Sequence, residues 1–321
     1  MRNTLFFSLA WVFCSYCFCA YGVEVYGHRG ARGLAPESTL PGYRVSITTG
    51  VDYVDLDVVM TKDHTVVVYH DLALNPDITR DKTKRWLKTH DILVKDLSYT
   101  ELLQYDVGRI NPFSKYARLF PNQKPIDGAV IPTLTETIRY IKKIASPTIK
   151  FQIEIKLDPS QPERGYSPIE MATAVAKIIK AEGISQRTEI QSFDWRCLLA
   201  LQKITPTIPT AYLTDDRRTQ LMYDRNPRIA GMWTAGYLLK DYYYSLPYMI
   251  AVLGGKLWDP QDIQVTQKNL QEAHQLGLKV SVWSSAEYYG KDIDLSEIKK
   301  LIALGVDGVI TDRPDLLMRV G

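Results

Sequence analysis

Short β-rich runs alternate with helical patterns from residue 23 to the end of the chain. This alternation is the strongest constraint on the fold. Strands separated by a helix return to the same end of a sheet, so they run parallel. The pattern predicts strands at 23–27, 51–60, 151–157, 188–192, 210–213, 250–253, 278–283 and 306–311, and a valine-rich run at 65–70 extends the sheet or pairs beside it. Helices are predicted at about 37–49, 133–145, 168–182, 266–276 and 295–304, with Gly183, Gly277 and Gly305 as stops.

Eight such strands in a 321-residue chain fit an α/β fold closed as a (β/α)8 TIM barrel. Periodicity does not show closure, and a doubly wound open sheet obeys the same alternation. Two segments fit no barrel element. Residues 72–131 are polar and rich in Lys, Asp and Pro, and 214–247 are rich in tyrosine. Both follow strand ends, where a barrel carries its active-site loops, and loops of this length in a compact domain are usually functional.

Residues 1–22 read as a signal peptide. Arg2 gives a positive start, and Leu5 to Ala20 is apolar apart from Ser8 and Ser15. That run is shorter than the roughly 20 residues a membrane span needs, and the small residues around Ala20 and Gly22 suit cleavage after Gly22. The expectation is an exported protein, periplasmic or secreted, with a mature domain over 23–321 and no stable membrane span after cleavage. Only Cys197 of the four cysteines lies beyond the leader, so the mature chain has no internal disulfide. Lys plus Arg is 39 against 36 Asp plus Glu, a balance too even to point to nucleic acid or an anionic membrane. Composition says nothing about oligomeric state.

Chemistry concentrates at strand ends. Gly27-His28-Arg29-Gly30 follows the first strand and joins a proton-transfer group to an anion-binding one. In 51–60, side chains alternate faces. Val54, Leu56 and Val58 share one face, and Asp55 and Asp57 share the other, directed into the barrel mouth. On this run alone a solvated acidic face is equally compatible. The run 151–157 repeats the arrangement, with Phe151, Ile153 and Ile155 outward and Gln152, Glu154 and Lys156 inward. Three inward carboxylates suit a hard divalent cation, and Lys156 with Arg29 suits an anion. His70 closes the valine-rich segment beside Asp71, whereas His64, His90 and His274 stand in polar contexts and read as surface residues.

His28-Arg29-Gly30, Pro36-Glu37-Ser38-Thr39, Asp55-Leu56-Asp57, His70-Asp71 and Glu154-Ile155-Lys156, followed by Gln191-Ser192-Phe193-Asp194, Val280-Ser281-Val282-Trp283 and the closing Leu304 to Pro314, resemble in order the glycerophosphodiester phosphodiesterases of the periplasmic type. The resemblance spans nearly the whole mature chain and implies a subdomain inserted after the second β-strand region, the place that about 72–131 occupies. It implies metal-dependent hydrolysis of a small glycerophosphodiester to sn-glycerol 3-phosphate and an alcohol. It also implies His28 and His70 as acid and base, Asp55, Asp57 and Glu154 as metal ligands, and Arg29 and Lys156 on the phosphate. Phe193 and Trp283 would line the pocket. Glu37, read as a first-turn helix residue, could be a metal ligand or favour the helix dipole, and is placed behind the ligands near Arg29. Ca²⁺ is favoured as the cation, with Mg²⁺ the alternative. The family often carries Glu where this chain has Asp55 and Asn where it has Ser38, which makes Asp55 the least secure ligand. With the glycerol phosphate gripped at the mouth's floor, the alcohol would point toward 72–131 and 214–247, and its identity is expected to matter little. Rival readings are a lysophospholipase D or sphingomyelinase D-like phosphodiesterase and a non-catalytic phosphate-binding barrel.

Overall fold

The computed structural model describes residues 22–318, so the expected leader, apart from Gly22, lies outside the described residues. Nine strands form one sheet: β1 (Glu24–Gly27), β2 (Tyr53–Met60), β3 (Val66–Val68), β4 (Lys150–Ile155), β5 (Thr188–Ser192), β6 (Thr210–Thr214), β7 (Leu257–Pro260), β8 (Lys279–Trp283) and β9 (Gly308–Thr311). Parallel pairing runs from β2 through β4 to β9, and β1 bonds to both β9 and β2, which closes an eight-stranded barrel. The structure is therefore a (β/α)8 barrel rather than an open sheet. β3 pairs antiparallel to β2 as an added edge.

Strand alternation sorts side chains between helices and lumen. Val54, Leu56, Val58, Phe151, Ile153 and Ile155 are buried in one apolar cluster with Leu134 and Ile138 of the helix Leu134–Ile144 and Val175 and Ile179 of the helix Pro168–Ala181. Their neighbours in sequence face the lumen. The β2–β4 register sets Asp55 beside Gln152 and Asp57 beside Glu154. Like charges directly opposite one another destabilise a strand pair unless something neutralises them.

Two expectations are corrected. Residues 250–252 lie in a helix, Leu246–Val252, which Leu253 ends, and the strand is β7, further on. Ser245 caps that helix and Pro247 sits in its first turn; a short apolar run of this kind has no period of its own to separate strand from buried helix. The true strand was hidden by Asp259 and Pro260, both poor strand formers. The first helix is Leu40–Thr49, capped by the Thr39 side chain, so Glu37 precedes it and is not a first-turn residue.

Residues 72–131 fold around their own apolar cluster, in which Leu74, Val94, Leu102, Phe120 and Ile131 pack on Val59 of β2 and Val67 of β3. Residues 214–247 carry short helices at Asp216–Leu221, Pro227–Ala230 and Leu239–Tyr242. Among the described residues no helix is long and apolar enough to cross a membrane.

Candidate active site

A cavity of about 640 Å³ opens at the C-terminal ends of the strands, lined by His28, His70, Glu154, Lys156, Phe193 and Trp283 among others. This is the face where barrels of this kind hold their active sites. His28, Arg29 and Gly30 form a single tight turn directly after β1. Arg29 takes a left-handed backbone conformation, φ 48°, which is uncommon for a residue with a side chain and is tolerated where surroundings hold it. Its N–H donates to Asp55 Oδ2 at 3.2 Å, tying the turn to β2.

Each histidine is held by a carboxylate. His28 Nδ1 lies 2.7 Å from Asp312 Oδ1, just beyond β9, and His70 Nδ1 lies 2.6 Å from Asp71 Oδ1. With Nδ1 engaged, Nε2 is the nitrogen left for chemistry on either ring. Asp312 is itself clamped by the fully buried Arg32, whose Nε and Nη2 reach its two oxygens at 2.9 and 2.8 Å. Burial works to raise the Asp312 carboxyl, but Arg32 and His28 hold it below the usual carboxylate range. Burial, reinforced by Arg29 and Lys156, pushes His70 down to about 4, so it is neutral near pH 7. Sequence reasoning assigned no part to Asp312 or Arg32. The available signal was the aspartate closing the last strand, which neighbours the first strand only once the barrel is closed.

The three carboxylates meet at the floor. Asp55 is already occupied, accepting from Gln191 Nε2 at 2.7 Å as well as from the Arg29 N–H. Asp57 is fully buried, and neither of its oxygens has a hydrogen-bond partner. Arg29 Nε at 3.6 Å and Lys156 Nζ at 3.7 Å are its cationic neighbours among the described residues. Lys156 also sits 2.6 Å from Glu154. Burial pushes Glu154 up to about 7, with Lys156 opposing and Asp57 adding to the rise. Asp55 is raised by burial and by both other carboxylates. Burial would also raise Asp57, but His70 when protonated, Lys156 and Arg29 outweigh it and hold the group below the usual carboxylate range.

Among the described residues no three His, Cys, Asp or Glu side chains form a ready-made metal cage. The donor set nevertheless fits a hard cation. It is all oxygen, it includes two buried oxygens with no hydrogen bond, and a lysine stands between carboxylates that repel one another. Glu37 accepts from Arg29 Nη1 at 2.9 Å and from the Tyr116 hydroxyl of the inserted segment, which places it behind Arg29. The Phe193 and Trp283 rings meet edge to face at 5.7 Å on the cavity wall. His90, expected on the surface, is exposed and stands at the cavity rim. Asp259, missed because its strand was misplaced, is fully buried below the floor and accepts from Gln152 Nε2 at 3.1 Å.

A closed parallel barrel whose cavity brings two carboxylate-held histidines together with carboxylates, Arg29 and Lys156 suits hydrolysis of a phosphate ester. The sequence model of the glycerophosphoryl diester phosphodiesterase family matches residues 28–316, and the chain belongs to that family. A Silicibacter pomeroyi structure assigned as a glycerophosphoryl diester phosphodiesterase is 32% identical, with TM-score 0.81, over 94% of this chain and 93% of its own. A Bacillus subtilis protein assigned as a glycerophosphodiester phosphodiesterase is 28% identical over 92% of this chain and 97% of its own. An Oleispira antarctica phosphodiesterase, solved with the product sn-glycerol-3-phosphate, shares the fold at TM-score 0.63 and 20% identity, over 92% of this chain and 95% of its own. The protein is an enzyme of the glycerophosphodiester phosphodiesterase class.

Proposed function

We propose that the enzyme hydrolyses glycerophosphodiesters to sn-glycerol 3-phosphate and an alcohol, with His28 and His70 exchanging protons and a divalent cation at Asp55, Asp57 and Glu154. The observation that carries this reading is the pair of histidines in one cavity, each with Nδ1 bound to a carboxylate, beside the carboxylate floor. The product found in the Oleispira antarctica relative supports the same bond cleavage.

When bound, the cation supplies neutralising charge for the phosphoryl oxygens and a fixed point for the substrate. Ca²⁺ is our choice over Mg²⁺, because an exported enzyme meets it at higher concentration and an oxygen-only set of mixed geometry accommodates it. Lys156 and Arg29 donate to the phosphate from the floor. His70, neutral near pH 7, removes the proton from the nucleophile, which is water or the glycerol's own hydroxyl. His28, oriented by Asp312, gives a proton to the departing alkoxide. The reading includes export, tested by finding Val23 as the N-terminal residue of the protein recovered outside the cytoplasm.

A leaving-group test separates the two histidines. His28→Ala and His70→Ala should each lower turnover of glycerophosphocholine by at least about 10². A nitrophenyl ester leaves without a proton, so it should restore most of the rate to His28→Ala and none to His70→Ala. Near-normal turnover by either folded variant removes that histidine from the mechanism.

A further inference from the structure

The outer half of the cavity carries charge that the reaction at the floor does not use. Arg218, in the short helix after β6, lies with its guanidinium between two rings, 4.1 Å from the centre of Phe193 and 4.2 Å from that of Trp233. Asp215 is ion-paired to Nη1 at one end of the group. Nε is buried and has no partner. Arg164, on the loop after β4, lines the same cavity. It donates to Gln161 Oε1 at 3.1 Å and to the His90 carbonyl at 3.2 Å, and among the described residues it has no carboxylate partner.

Two stacked rings fix the plane of a guanidinium and leave only its edge for bonding. Asp215 takes Nη1 and Nε is enclosed, so Nη2 is the nitrogen left for a ligand. A fixed, partly bonded fork is suited to a planar or tetrahedral anion. Of the acidic groups nearby, Glu287 is held by Arg32, and Asp158, which accepts from Ser160 and Gln161, keeps its charge at the cavity wall. Lys156 Nζ stands 5.9 Å from the centre of the same Phe193 ring, so that ring joins the phosphate end of the cavity to Arg218.

We infer that the alcohol half of the preferred substrate bears an anion, a carboxylate or a phosphate, received by Arg218 with Arg164 adding to the field. The alcohol end is then selective, not indifferent as the sequence suggested. This rests on the glycerophosphodiester reading above.

Glycerophosphoserine and glycerophosphoethanolamine differ by one carboxylate, and glycerophosphoglycerol phosphate, with a phosphomonoester on the leaving glycerol, differs from glycerophosphoglycerol by one phosphate. The wild-type enzyme should prefer the anionic member of at least one pair in kcat/KM. Preference in the first pair identifies a carboxylate and in the second a phosphate. Arg218→Met should reduce that preference at least about tenfold, the usual scale of a charged hydrogen bond, and Arg218→Lys should keep part of it. Equal handling of both pairs by the wild-type enzyme overturns the inference, as does an unchanged preference in a folded Met variant. Should the Met variant fail to fold, the Lys and Arg164→Gln variants decide by the same ratio. If none of the diesters yields glycerol 3-phosphate, the proposed reaction fails. Calorimetric binding of the same pairs then still settles the anion site.

Discussion

Asp55 and Asp57 sit two residues apart on one strand but differ in what they have left to give. Both Asp55 oxygens are engaged, by Gln191 and the Arg29 N–H, whereas both Asp57 oxygens lack a hydrogen bond. Asp57→Asn should therefore abolish cation binding. Glu154→Gln should weaken it strongly and Asp55→Asn least, as calorimetry with Ca²⁺ would show. Glu154, pushed up to about 7, must lose its proton to hold a cation, so affinity should fall by about tenfold per pH unit below that value. Without the cation the sign reverses for stability: a raised carboxyl favours the folded state at low pH and loses that contribution as pH rises to about 7. Calorimetry and unfolding curves between pH 5 and 8 check both; a flat affinity contradicts the ligand role. The faces of Asp55, Asp57 and Glu154 were legible because strand alternation fixes them. The partner of His28 was not, because Asp312 stands 284 positions away and comes near only through closure.

At the scale of elements, legibility followed the strength of local signals. The helix Leu134–Ile144 announces itself with Thr133 and Glu136, and the structure shows both halves of that capping box. Thr133→Ala should cost about 1 kcal/mol in urea unfolding with activity retained; no change would mean that another group caps the helix. β7 had no such signal. Its lumen residue Asp259 and its final Pro260 contradict strand propensity, and only the sheet on either side enforces the extended form. That is tertiary context overriding local preference. The Asp259 polar layer below the floor went unread for the same reason.

Across the whole molecule, the barrel concentrates repulsion at one end. Asp57 faces Glu154 across a strand pair, with Lys156 between them and opposing basic groups above. A ligand that binds only the folded state stabilises it by mass action, about 2.7 kcal/mol at a hundredfold excess over Kd. Ca²⁺ should therefore raise the unfolding midpoint of the wild-type enzyme and leave that of Asp57→Asn unmoved. Residues of the insertion and of the 214–247 segment line the same cavity, so on the proposed reading the alcohol end of a substrate lies among them. The orientation of the substrate is the centre of this account, and product identity tests it most directly. Phosphorus NMR of glycerophosphocholine treated with the Ca²⁺-loaded enzyme should show glycerol 3-phosphate, and the proton spectrum free choline. Phosphocholine and free glycerol would contradict it, placing the alcohol at the floor and reversing the roles given to Arg29, Lys156 and Arg218.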